Sequence, residues 1–201
     1  MEIIDQNLII KRSVRGVLTL VSRTFFLNII SLLAFLVITS VLRASEIGIY
    51  TAVIAIQRVI SFFTDFGLGA ALIQKKHELK QEDITTTFTV QVLISFAIFI
   101  LVFSFLGTFA SFFKLNSQAQ KLLLVLVFTI FLSSFKTIPS ILLERTLNFG
   151  KLILPQIVES LVFNGILVAL TLSGYGISSF SWAFLISSLI GIPFYYLVSP
   201  W

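Results

Sequence analysis

Long apolar runs separated by short polar links dominate this chain from about Val17 to its last residue. Six such runs cover about residues 16–42, 47–73, 84–113, 122–143, 152–172 and 177–198. Each is long enough to cross a bilayer, whose hydrocarbon core takes about 20 apolar residues of helix. Inside lipid a backbone must satisfy its own hydrogen bonds, which leaves helices or closed barrels. Barrel strands would show runs of about 10 residues with strict alternation. These runs are continuous and longer. The pattern therefore predicts an all-α, polytopic membrane helix bundle of six transmembrane helices over residues 16–201. A polar, cytoplasmic N-terminal segment, residues 1–15, precedes it.

The links carry the orientation. With the N-terminus cytoplasmic, the inner side holds Lys11, Arg12, Arg15, Lys75, Lys76, Lys80, Arg145 and Lys151, and the outer side only Arg43, Lys114 and Lys121. That excess of basic residues places the N-terminus inside. The turn Ser173-Gly174-Tyr175-Gly176 has two glycines suited to positive φ. The sixth run ends on Ser199-Pro200-Trp201 without a basic flank, so the natural chain is expected to continue.

Composition narrows the chemistry. The 201 residues are 57% hydrophobic and 11% charged, against about 25% charged in soluble domains. Cys is absent, which removes disulfides and thiolate metal sites. The single His77 lies in a loop among Lys75, Lys76 and Lys80 and reads as a solvated residue. No zinc spacing, phosphate-cradling glycine loop or Ser/His/Asp set occurs, so no metal, no cofactor and no enzyme is expected. The net charge of +5 sits beside the apolar runs. It therefore reads as a topology signal, with membrane lipids and not nucleic acid as the partner.

Charges inside spans are costly and mark function. Arg23, Asp65, Lys136 and Glu159 all fall about 10–12 Å from the inner ends of their spans. Arg23 with Asp65, and Lys136 with Glu159, are expected ion pairs. They have two readings: structural ties, or groups coupled to an ion, proton or sodium. Lys136 could also snorkel to the interface, and Glu159 could bind a cation. Arg58 lies near the midplane, about 18 Å from the outer end of its span, with no carboxylate at its depth. It pairs either with an acid beyond residue 201 or faces a wet cavity. In a cavity its planar fork suits a phosphate, and Arg23 would supply a second positive group. Gln57, Asn28, Gln91 and Asn164 add uncharged donors.

Four stretches carry a family resemblance. They are Ser45-Glu46-Ile47-Gly48-Ile49-Tyr50 and Asp65-Phe66-Gly67-Leu68; Ile138-Pro139-Ser140 with Leu143-Glu144-Arg145 and Phe149; and Gly174-Tyr175-Gly176 with Ser179 and Trp182. In order and spacing they resemble the bacterial polysaccharide flippases of the multidrug/oligosaccharidyl-lipid/polysaccharide exporter superfamily, over the N-terminal half only. Ile47 replaces the family's usual aromatic. The resemblance implies half of a 12–14-helix exporter fold around a cationic cavity. It also implies alternating-access transfer of a polyprenyl-pyrophosphate-linked oligosaccharide across the cytoplasmic membrane. Arg58 and Arg23 would bind the pyrophosphate. The partners would be the lipid-linked substrate and either a C-terminal half or a second copy. The alternatives are a drug or cation exporter of the same superfamily, which would want unpaired acids, and a non-transporting membrane scaffold, in which every buried charge is paired.

A chain without cysteine accepts single reporters. His77→Cys should react with an impermeant maleimide only from the cytoplasmic side, and Gln118→Cys only from the opposite side. Labelling of both from one side would contradict the six-span topology.

Overall fold

The computed structural model describes residues 6–64, 67–75 and 77–201, with side chains from Val21 onward. Among the described residues all regular structure is helical: α1 Gln6–Val41, α2 Ala44–Thr64, α3 Leu68–Gln74, α4 Gln81–Ser104, α5 Leu106–Phe112, α6 Ser117–Arg145, α7 Phe149–Leu172 and α8 Ser178–Val198. Six of these are long and apolar enough to cross a membrane. The expected spans are thus present, with three differences. Helix α1 begins within the segment expected to be a polar N-terminal arm. The run 47–73 is not one helix: α2 stops at Thr64, and α3 follows Gly67, whose φ of +69° is left-handed. The run 84–113 breaks at Phe105, which separates α4 from the short α5.

Helix α6 is the hub. It packs against α2, α3, α4, α7 and α8, while α1 packs chiefly on α7. Half of its most apolar stretch is buried inside the protein, against 11% in α1 and in α4, whose apolar surfaces face outward. Asn116 starts α6 by accepting the Ala119 N–H at 2.9 Å, which satisfies one of the free donors at a helix N-terminus. Phe88, Phe96 and Phe99 of α4 meet Phe135, Phe131 and Phe128 of antiparallel α6 at centroid distances of 5.9, 5.5 and 5.3 Å. Pairs of this geometry add about 0.5–1.5 kcal/mol each beyond area burial. Six of the 22 phenylalanines therefore form a helix-to-helix zipper.

The bundle differs along its length. Toward the α5 end, Val53, Leu122, Leu123, Leu126, Val127 and Ala183 form a dry apolar core. Toward the α3 end that core gives way to polar side chains. Each end is tied by a motif residue. At the α5 end the Glu46 carboxylate accepts the Arg43 N–H at 3.1 Å and the Ile177 N–H at 3.2 Å, so one anion caps the N-termini of α2 and α8. Tyr50 stacks on Phe180 at 4.0 Å beside it. At the α3 end the Arg145 guanidinium donates to the carbonyl oxygens of Leu72 at 2.5 Å and His77 at 2.7 Å. It thereby holds the C-terminal end of α3 against α6. Gly69 lets α3 approach closely, since a Cβ there would stand 3.1 Å from the Ile141 side chain.

Gly176 has φ +57°, and a Cβ there would sit 2.6 Å from Glu46 Oε1. Gly176→Ala should therefore destabilise the protein by about 2 kcal/mol, from the left-handed backbone and the displaced cap together. The check is the thermal unfolding midpoint in detergent. Gly165→Ala, with nothing within 4 Å, should leave the midpoint unchanged or raise it.

Candidate functional site

One cavity of about 780 Å³ opens at the α3 end of the bundle, walled by α2, α3, α4, α6, α7 and α8. Helix α6 contributes more of the lining than any other helix. Thr129, Ser133, Thr137, Ser140 and Glu144 recur at intervals of three or four and so share one helix face. All five line the cavity. Thr129, Ser133 and Thr137 donate their hydroxyl protons to carbonyl oxygens three or four residues back on the same helix, the usual way a helix carries hydroxyls through an apolar medium. From α4, Gln91 reaches across to the Thr64 carbonyl oxygen at the end of α2, at 3.1 Å.

The charged core of the cavity is the pair between Lys136 of α6 and Glu159 of α7, at 2.5 Å. Their side chains are only 11% and 24% exposed. The sequence placed both about one depth from the same side, and the helices bring them into contact. Gly191 of α8 makes the room, because a Cβ there would stand 3.1 Å from the Glu159 carboxylate. The Tyr195 ring lies 5.9 Å from the Lys136 ammonium, within the range of a cation–π contact. Glu144 accepts a hydrogen bond from Ser140 at 3.3 Å and has no ion-pair partner among the described residues.

Arg23 of α1 lies outside the lining and donates to Gln156 of α7 at 2.5 Å. Its Nε is buried with no hydrogen-bond partner. Tyr195, which does line the cavity, is within electrostatic reach of Arg23. Arg58 is exposed on α2 and also outside the lining, although its neighbour Gln57 is part of it. Asp65, expected beside Arg23, lies outside the described residues. Of the expected uncharged donors, Gln57 and Gln91 line the cavity, whereas Asn28 does not and Asn164 bonds to Ser160 within α7. Among the described lining residues there is one cation, Lys136, and two carboxylates, Glu144 and Glu159. The described lining of this cavity is therefore not cationic. Among the described residues no group of His, Cys, Asp and Glu could hold a metal ion.

The hydroxyl face of α6 was not singled out from the sequence. Its signal was present as a polar residue every three or four positions through an otherwise apolar run.

A family model described as a polysaccharide biosynthesis protein matches residues 37–201. No curated protein and no solved structure matches the chain.

Breaking the Lys136–Glu159 pair from one side leaves a buried charge unpaired. Lys136→Met or Glu159→Gln should each destabilise the protein by about 3–5 kcal/mol. The double replacement should recover most of that loss. Additive effects in thermal unfolding in detergent would show that the two residues do not form a pair.

Proposed function

This chain belongs to the polysaccharide biosynthesis protein family, and we propose that it acts there as a carrier and not as an enzyme. Its cargo is a polyprenyl-pyrophosphate-linked oligosaccharide. The cargo moves across the cytoplasmic membrane for assembly into a surface polysaccharide, such as lipopolysaccharide or exopolysaccharide. The observation that carries this reading is a polar cavity of about 780 Å³ inside a bundle whose helices are otherwise apolar enough to span a membrane. Such a cavity gives a sugar headgroup an environment that lipid cannot, while the prenyl chain stays in the bilayer. Its size falls in the range of about 300–1,000 Å³ common for small-molecule sites.

In this reading the bundle is multi-pass with its N-terminus cytoplasmic, and the cavity faces the cytoplasm. The bundle rocks against a second unit of the same kind, carried on the same chain or supplied by a second copy. Arg58 and Arg23 hold the pyrophosphate. Arg58 is suited to this by its exposure beside the cavity-lining Gln57, and Arg23 by a buried Nε with no partner. The Lys136–Glu159 pair is where a proton or sodium ion could couple to the cycle, since either cation can replace the ammonium at the carboxylate.

A second reading, export of an organic cation, draws on a separate observation. Glu144 is a cavity carboxylate without an ion-pair partner among the described residues. The family's polysaccharide description favours the first.

In proteoliposomes carrying a fluorescent lipid-linked oligosaccharide, wild-type protein should expose the sugar to an external quencher. Arg58→Ala should slow that exposure about tenfold or more, since a charge-assisted phosphate contact is lost. Membrane insertion should be unchanged. Wild-type rates in the Arg58 variant would sink its assignment, and uptake of an organic cation in place of the lipid would favour the second reading.

A further inference from the structure

The α6 wall of the cavity turns acceptors inward. Thr64, Thr129, Ser133, Ser134 and Thr137 donate their hydroxyl protons to backbone carbonyl oxygens at 2.7, 2.7, 2.9, 2.7 and 3.3 Å. Ser140 donates to Glu144. A hydroxyl has one proton and two lone pairs. With the proton engaged on its own helix, each of these groups offers only lone pairs to the cavity. One Lys136 N–H is engaged with Glu159 and one Gln91 N–H with the Thr64 carbonyl oxygen, while the donors of Gln57, Ser61 and Ser188 stand on α2 and α8, across from this face. The charged groups of the lining are Lys136 and Glu144 on α6 and Glu159 on α7. Helices α2, α3, α4 and α8 add none among the described lining residues. The described lining residues therefore carry a net charge of −1, from one cation and two carboxylates.

Phosphate groups and sugar carboxylates are acceptors with negative charge. Along the α6 face they would meet unpaired lone pairs and the Glu144 carboxylate, and both are unfavourable away from water. Neutral sugar rings bring the complement. Their hydroxyl protons match the acceptors, and their C–H faces can lie on Tyr195 and Phe184, the aromatic side chains of the lining.

We infer that this cavity is a chamber for the uncharged sugar residues of the cargo, selective against acidic sugars, and that the diphosphate is held outside it. The inference rests on the reading that the cargo is a lipid-linked oligosaccharide. It divides that cargo between two places: sugar against the hydroxyl face of α6, and diphosphate at the basic groups beyond the lining.

The test is binding to the whole chain in nanodiscs, read by saturation-transfer NMR. Four ligands are compared: a neutral tetrasaccharide of hexose and N-acetylhexosamine, the same tetrasaccharide with one hexuronic acid, inorganic pyrophosphate, and tetraphenylphosphonium. The neutral tetrasaccharide should bind saturably, and the acidic form about tenfold more weakly or worse. The double variant Ser133→Ala with Thr137→Val should weaken neutral binding about tenfold through the loss of two acceptors. Phe62→Ala, at a side chain 77% exposed on the apolar surface, should leave it unchanged. No saturable binding of the neutral sugar overturns the inference. So does equal binding of the acidic form, displacement of neutral sugar by pyrophosphate, or tighter binding of tetraphenylphosphonium than of any glycan. Binding is read apart from transport. A protein that binds neutral sugar as expected but moves no lipid-linked glycan overturns only the carrier reading. A carrier that moves acidic and neutral substrates alike overturns only the chamber.

Discussion

Every polar group that these helices take into the membrane must find its partner within the protein, and α6 is where most of that requirement is met. An unsatisfied donor or unpaired charge in hydrocarbon costs several kcal/mol. Along α6 the hydroxyls close onto their own backbone, and Lys136 closes onto Glu159. What α6 leaves facing the cavity is a row of lone pairs and the Glu144 carboxylate. The same constraint that lets the helix exist in lipid thus determines which ligands its cavity can accept. Chemistry and stability are two consequences of one set of hydrogen bonds.

The two ends of the bundle follow from this division. The α5 end has no polar face to accommodate, so it packs as a dry core and is closed by one carboxylate shared between two helix starts. The α3 end cannot pack dry around its polar residues, so a space opens there. The short helix α3 borders that space and is held by Arg145. A bundle tied rigidly at one end and open at the other is a suitable rigid body for a rocking carrier. Motion would then be concentrated between bundles and not within this one. The motif residues Glu46, Gly176, Gly69 and Arg145 belong to the ties, whereas the cavity-facing positions of α6 lie between them.

The sequence revealed most of the fold and less of the site. Six apolar runs were enough for six spans because lipid leaves a chain so few ways to cross it. The break after Thr64 was harder to see. Gly67 sits in a run whose apolar character continues on both sides, and its left-handed φ marks the start of α3. Lys136 with Glu159 was legible from matched depth on two sequential spans. Arg23 donates to Gln156 because α1 packs chiefly against α7, a contact that order along the chain does not suggest; its expected partner Asp65 lies outside the described residues. The hydroxyl face was hidden because Ser and Thr barely lower the hydrophobicity of a run, so attention went to charges. Counting polar residues at helical spacing would have recovered it.

The central claim is that sugar enters the cavity along α6 while the lipid remains outside. Photo-crosslinking tests it most directly. A lipid-linked oligosaccharide carrying a diazirine on its sugar, and a second carrying it on the prenyl chain, would be irradiated with the protein in bilayers and the adducts mapped by mass spectrometry. The account predicts saturable sugar adducts on the α6 segment from Thr129 to Glu144 and prenyl adducts on outward-facing positions such as Phe62. Sugar adducts confined to outward-facing positions, with none on α6, would contradict it.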